Sequence, residues 1–456
     1  MKEKENRDEK GVSGSCVLKT LWLLAVPITL QSFITSSLNL VDNMMVGNLG
    51  EASIAAVGLA NQYIFIFTLC LMGVNAGASV FMSQLWGKQE LKGIKTFLGV
   101  DMTVGFMASL LFGIGAFSFP EVIMGVLSKD REVIRLGADY LRIVAMSCLF
   151  MNFTQGYSSA LRSTEQTKVP MFASLIGVLA NAFLNWVFIF GNLGMPKMGV
   201  KGAALATTLA RLLEMTFIIS VVYFSKNKVA AHIKELFSFN MECLKKYFIT
   251  SWSVIANELI FSIGLTFYSI AYARIGTNAV ATMQIATTLN NMFMIFLIGI
   301  ATAAAIMIGN SIGAGKEERA RTYSVHVGKL TPLVGVLLGV FIWFLAPFIV
   351  SFFKVQPETY RDTVSVLRIM ALFLPLRAFN MVMIVGVFRG GGDTLYSMLV
   401  QAGTIWLYSV PLSFIGALIL KLPVYGVFFL ICTEEIIKML FELSRLKSGK
   451  WLKNLV

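Results

Sequence analysis

The chain is a succession of long apolar runs separated by short polar segments. Twelve runs can be marked, at residues 20–46, 52–85, 96–120, 139–160, 168–190, 199–224, 246–273, 280–311, 325–353, 366–389, 396–419 and 424–445. A helix of about 20 apolar residues crosses a hydrocarbon core of roughly 30 Å, so each run is long enough to span, and the longer ones must tilt or project. The runs are continuously apolar rather than alternating, which excludes a β-barrel and predicts helices. The predicted fold is an all-α membrane protein with 12 transmembrane helices. The polar start MKEKENRDEKG predicts a tail over 1–19. The first run is too long for the core of a cleaved signal peptide and reads as a retained span.

The runs repeat. Gly50, Gly73 and Gly87 recur at one constant spacing as Gly276, Gly299 and Gly313, and Tyr140-Leu-Arg142-Ile recurs as Val366-Leu-Arg368-Ile. One extra residue then shifts the register, so that Arg162 and Thr167 match Arg389 and Thr394, and Gly199-Val200 matches Gly426-Val427. The chain therefore reads as two six-helix lobes, 20–224 and 246–445, joined by a charged linker at 225–245 and followed by a tail at 446–456. Six spans per lobe is an even number, so both lobes enter the membrane in the same sense. That predicts a pseudo-twofold along the membrane normal, as in transporters built from parallel repeats.

Composition narrows the class. Of 456 residues, 56% are hydrophobic and only 14% charged, against about 25% charged in soluble chains. The net charge of +13 does not indicate nucleic acid here. Lys and Arg concentrate in the segments on the side of the N-terminus, Arg389 and Lys438 counted among them, which predicts both termini in the cytoplasm. The five cysteines are scattered without a CxxC, and Cys70, Cys148 and Cys432 read as small core residues. His232 and His326 fall in charged segments read as loops, which leaves little for a histidine metal site or a triad.

Several segments resemble a known family. Pro27…Leu40-Val-Asp42-Asn-Met-Met-Val-Gly47…Ala55-Ala-Val-Gly-Leu-Ala is similar to the first helix and following loop of the multidrug and toxic compound extrusion (MATE) transporters, of the bacterial NorM/DinF-like type. Ala160-Leu-Arg162-Ser-Thr-Glu-Gln-Thr167 and Phe388-Arg389-Gly-Gly-Gly-Asp393-Thr394 resemble that family's turns after the fourth and tenth helices. Gly199-Val-Lys-Gly202-Ala-Ala-Leu-Ala-Thr-Thr resembles the start of its sixth. The resemblance covers essentially the whole chain. It implies a cation-coupled antiporter, using H+ or Na+, that exports organic and often cationic compounds by alternating access, with no cofactor.

Intramembrane charges are the candidate chemistry, because each costs at least about 2.5–3.5 kcal/mol at a helix centre. Asp42 lies in the outer half of the first run with no basic residue within four positions. Such a carboxylate takes up a proton or holds a cation, and the resemblance places the family's first-helix coupling aspartate here. Asn181 and Asn185 sit one turn apart on the fifth run; many family members carry Asn and Asp there, so the second acid is missing. Thr207 or Thr208 could add a hydroxyl. The resemblance to NorM-type members assigns a cation-binding glutamate to Glu258, beside Asn257. The aspartate those members usually add on the tenth helix is absent, and the run carries Arg377 and Asn380 instead. Mid-span Arg377 is expected to pair with Glu258. Glu434 and Glu435 point about 100° apart on a helix, so one of them is expected to face a cavity, with Glu435 the candidate. Asn39, Gln284 and Asn290-Asn291 complete the candidate cavity lining. Arg211 and Glu214, three apart, read as a local pair. Metal binding reduces to Na+ at Asp42 or Glu258. With one carboxylate per lobe to bet on, proton coupling is preferred over sodium.

Three motifs are decoys. Gly309-Asn-Ser311-Ile-Gly313 spells a nucleophile elbow but ends an apolar helix, and reads as helix packing. Asn152-Phe-Thr154 lies inside a run. The Gly390–Gly392 turn lacks a phosphate-cradle context, and without a Walker motif ATP is not the power source. The expected partners are the lipid bilayer and small organic cations or drugs, with no nucleic acid, for a monomer in the inner (plasma) membrane. The alternatives are a flippase for lipid-linked precursors and a membrane-embedded enzyme; few histidines and the two-lobe repeat weigh against the enzyme.

Overall fold

The computed structural model describes residues 14–353 and 355–456, apart from the side chains of Asn39, Leu40 and Asn43. The described residues contain helices and no strands. The first half of the chain forms α1 (Gly14–Gly47), α2 (Glu51–Gly87), α3 (Leu91–Ser118), α4 (Pro120–Leu127), α5 (Arg131–Val144), α6 (Ser147–Ser163), α7 (Lys168–Phe190) and α8 (Val200–Phe224). The short α9 (Ile233–Leu236) follows. The second half forms α10 (Met241–Ile275), α11 (Thr277–Gly313), α12 (Glu317–Ser351) and α13 (Pro357–Met381). It closes with α14 (Thr394–Gly403), α15 (Val410–Phe414), α16 (Val424–Cys432) and α17 (Glu434–Ser448). Three π-helical segments, Val382–Phe388, Thr404–Ser409 and Ile415–Ile419, continue α13, α14 and α15.

All twelve apolar runs are helical. Ten helical stretches among the described residues are long and apolar enough to cross a bilayer, which makes this a multi-pass membrane protein. The other two runs are divided. The run at 139–160 starts inside amphipathic α5, whose charged face pairs Arg142 with Glu121 and Asp139 with Lys201, and breaks before α6. The run at 424–445 breaks at Thr433, between apolar α16 and the charged sequence of α17. The lipid-facing surfaces are apolar, as at Leu111, Phe117 and Phe344, all largely exposed. His326, expected in a loop, lies within α12, where its Nδ1 donates a hydrogen bond to Thr322 O.

The chain divides into two compact units, Val26–Ile255 and Met1–Ala25 with Ala256–Val456. The division falls inside α1, just before Pro27, and inside α10, rather than at the charged segment 225–245. In the first unit, α2, α5 and α8 enclose a core that includes Ala56, Ala60, Leu141 and Ala204. In the second, α10, α11 and α13 pack around Tyr268, Tyr272, Leu297 and Leu374. Small residues let the helices close. A Cβ on Gly335 of α12 would stand 2.6 Å from Pro375 Cα of α13, and one on Gly339 would stand 2.6 Å from Ala371 O. This is the small-xxx-small contact by which membrane helices approach backbone to backbone. After α17 the chain folds back, with Trp451 fully buried and Lys453 N donating to Gly391 O.

The segment 225–245 is tied to the first unit. Lys95 of α3 donates to both oxygens of Glu235 at 3.0 and 3.1 Å, and His232 N donates to Glu235 Oε2. Leu236 O lies where a Cβ on Gly99 would be. The His232 amide and then the Lys95 ammonium hold the Glu235 carboxyl below its usual range. A carboxyl with a lowered folded pKa stabilises above its unfolded pKa, and that contribution is lost as pH falls through the folded value. Acidification through the carboxylate range is therefore expected to release α9. Hydrogen exchange at residues 233–236, corrected for intrinsic rates, should rise in acid, and Lys95→Gln should bring the rise on at higher pH. Flat protection across that range would remove the idea.

Candidate functional site

Two polar clusters interrupt the apolar helices, one in each unit. In the first unit, a hydrogen bond between polar side chains links α1 to α7. Asn185 Nδ2 donates to Asp42 Oδ1 at 2.5 Å and to Asn181 Oδ1 at 2.9 Å. Asn181 Nδ2 donates to Thr207 Oγ1 of α8 at 3.3 Å. Asn181 and Asn185 are fully buried, and Asn185 Oδ1 has no hydrogen-bond partner. One carboxylate is thus served by a line of neutral groups. The Asn39 side chain lies outside the described residues, and Thr208 turns away to Ala204 O and Ile143 O.

A second line runs beside the first. Arg162 donates to Gln31 Oε1, Gln31 to Ser174 Oγ, and Ser174 to Glu214 Oε1. Arg211 closes it as the expected local pair with Glu214, at 2.8 Å. Between the two lines is a cavity of about 10 Å³ lined by Asn181, Thr207, Arg211 and Glu214, with room for about one water molecule.

The second unit holds a cavity of about 520 Å³, in the range that receives a drug-sized molecule. Asn257, Glu258, Gln284, Arg377, Asn380 and Glu435 all line it. Its wall also carries Arg389, Glu434 and Lys438, so three acids face three bases. Glu258 Oε1 accepts from Arg389 Nη2 at 2.6 Å. Arg377 donates to Asn290 Oδ1 at 2.9 Å. Asn380 Nδ2 donates to Glu435 Oε2 at 2.7 Å. Glu434 accepts from Lys438 at 2.9 Å, from Tyr268 and from Ser409. Ser409 lies at the end of a π-helical segment, and Arg389 follows directly on another. Such segments shift the register of side chains and often occur at functional sites.

The MatE family model matches residues 27–187 and again 253–415, once in each half of the chain. The chain belongs to the MatE family. It is 25% identical over 417 residues to the probable multidrug resistance protein YoeA of Bacillus subtilis (strain 168), covering 90% of this chain and 89% of the relative. It is 23% identical to the probable multidrug resistance protein NorM of Thermotoga maritima, covering 96% and 94%. A solved outward-facing multidrug resistance MATE family transporter of the MOP superfamily superposes with a TM-score of 0.86 at 22% identity, covering 97% of this chain and 99% of that one. These two relatives of the MatE chain are thus named as probable multidrug resistance proteins, and the matched structure shares its fold.

Two expectations are corrected. Glu258 pairs with Arg389, not Arg377. The two arginines are twelve residues apart, roughly 18 Å along a helix at 1.5 Å per residue, so Glu258 can reach only one. Glu434 and Glu435 both line the cavity, because the helix breaks at Thr433 and presents both from the first turn of α17. Sequence reading also missed four charged groups. Arg389 and Lys438 were assigned to the cytoplasmic surface, yet both are buried. The available signals were the match of Arg389 to Arg162 and the four-residue spacing of Glu434, Lys438 and Glu442. Asp101 of α3 is 1% exposed and neither of its oxygens has a hydrogen-bond partner. It is the lone acid in the run 96–120, which was signal enough. Glu442 is the fourth.

Proposed function

We propose that this chain is a proton-coupled antiporter that exports small organic cations and drugs across the plasma membrane by alternating access. It works as a monomer with both termini in the cytoplasm, and needs no cofactor. The observation that carries the reading is the 520 Å³ cavity, which combines apolar walls with balanced, hydrogen-bonded charges inside one membrane unit. Aromatic and methionine side chains there, such as Phe261, Phe373 and Met294, offer cation–π and soft packing contacts to varied organic cations.

Proton coupling is favoured over sodium by the donors present. A sodium ion wants several oxygen ligands and compensating negative charge. Asp42 is met by the amide nitrogen of Asn185 rather than by a second carboxylate. In the cavity, Glu258 and Glu434 are already matched by Arg389 and Lys438, cations of the protein itself. Asp42 binds the incoming proton from outside, and losing that intramembrane charge changes the packing of α1 against α7.

The test is ethidium export from proteoliposomes under a proton gradient without sodium, compared with a sodium gradient at equal pH on both sides. Export under the proton gradient alone is expected. Export driven by sodium alone would refute proton coupling, and no gradient-driven movement of ethidium would refute this cation-export reading.

A further inference from the structure

Helix α17 is inside out. Its four buried positions are Glu434, Glu435, Lys438 and Glu442, while Ile436 and Leu440 are exposed on the opposite face. Turning charges inward and apolar residues outward suits a helix surrounded by lipid, but a buried ion needs a partner. Lys438 has two symmetrically spaced candidates, Glu434 four residues before it and Glu442 four residues after it, both neighbours on a helical face. It is bonded to Glu434 at 2.9 Å. Glu442, 0% exposed, is left with neither oxygen hydrogen-bonded. One flexible ammonium thus serves two carboxylates and satisfies one at a time.

We propose that Glu434, Lys438 and Glu442 form a proton relay leading from the cavity wall towards the C-terminal end of α17. The inference rests on the proton-coupled reading above. Lys438 swings from Glu434 to Glu442 and gives it a proton, breaking an N–H bond and forming an O–H bond on the Glu442 carboxylate. The neutral amine swings back and takes the proton that Glu434 has received from the cavity, breaking that O–H bond and restoring the ammonium. Glu442 then releases its proton at the end of the helix. Lysine suits this step because it can lose a proton, whereas arginine cannot.

The surroundings of the relay favour this direction. At the cavity end, Tyr268 and Ser409 donate to Glu434, and Asn380 donates to neighbouring Glu435. Arg377 and Cys432 line the same wall. Near Glu442, Tyr396 of α14 donates to Phe441 O at 2.9 Å. One turn further on, Asp393 is paired with both Arg445 at 2.8 Å and Lys453 at 2.6 Å. That cluster reaches solvent, since the Lys453 side chain is 43% exposed. A proton leaving Glu442 therefore has an ionic, partly hydrated exit beside it.

Two variants and two readouts test the relay in the full chain in proteoliposomes. Glu442→Gln keeps shape and burial, and Glu442 does not line the cavity, so ethidium binding should be unchanged. Proton-driven ethidium export should fall by at least about tenfold. Lys438→Arg keeps the positive charge and the bond to Glu434 but should lose proton-driven export to the same extent. Full export by either variant would overturn the relay, as would loss of binding or of thermal stability in Glu442→Gln in step with export. Infrared difference spectra across a pH step supply the readout that does not depend on transport. A carboxylic-acid carbonyl band present in the wild type and missing in Glu442→Gln is expected, and an identical band in both would overturn the relay. If the wild type shows no proton-driven export, the coupling reading fails, and the infrared comparison alone then decides whether Glu442 exchanges a proton.

Discussion

Asp42→Asn is expected to abolish proton-driven export while leaving the protein folded and inserted. The substitution removes one negative charge and keeps the side-chain shape. Its new amide oxygen can still accept from Asn185 Nδ2, so the line from Asp42 through Asn185 and Asn181 to Thr207 survives. What is lost is the only group in that line able to take up a proton. Export should drop by at least about a hundredfold, about 2.7 kcal/mol at 1.36 kcal/mol per tenfold change in rate. Undiminished ethidium export by a normally expressed Asp42→Asn protein would sink the assignment. The companion change, Asn185→Asp, sets a second carboxylate against the first. Two carboxylates sharing one site cannot both stay ionised without a shared proton or cation. Asn185→Asp is expected to make export respond to sodium, and export that ignores sodium in this variant would count against the charge argument.

Glu258→Gln is expected to cost both transport and stability, and the second effect comes from its partner. Arg389 is 9% exposed and its carboxylate partner is 2.6 Å away. Removing that carboxylate leaves a buried guanidinium facing a neutral amide. Breaking a buried pair costs about 3–5 kcal/mol; here about 2–3 kcal/mol is expected, because 19% of the Glu258 side chain stays accessible. The melting temperature in detergent should fall accordingly. Glu258→Gln with Arg389→Gln should recover most of the stability, since no unpaired charge remains, yet should not recover export. Arg377→Ala should leave stability closer to wild type, because Arg377 is held by Asn290 rather than by an ion pair. A Glu258→Gln protein with unchanged melting temperature and export would remove Glu258 from the coupling machinery. Recovery of export by the double variant would reduce the pair to a structural bolt.

The helices and the two-fold repetition were legible along the chain. Backbone groups in hydrocarbon must bond within their own segment, so an apolar run of sufficient length has one solution, and reading it needs no neighbours. Asp42, Asn185 and Glu258 were legible for a related reason: a polar side chain in an apolar run is conspicuous because its burial is expensive. Partner choice was not legible. The match of Glu258 with Arg389 depends on the register that the π-helical segment Val382–Phe388 sets just before the arginine, and no run length encodes it. The inward turn of Lys438 and Glu442 was hidden for the opposite reason. In EEIIKMLFELSRLK the charges look like a solvated face, as they would be on a soluble helix, and only packing against α13 and α14 decides that the apolar face meets lipid and the charged face is enclosed. Hydrophobicity acts locally and is written residue by residue, whereas which charge neutralises which is a property of distances between helices, and those exist only once the chain has folded.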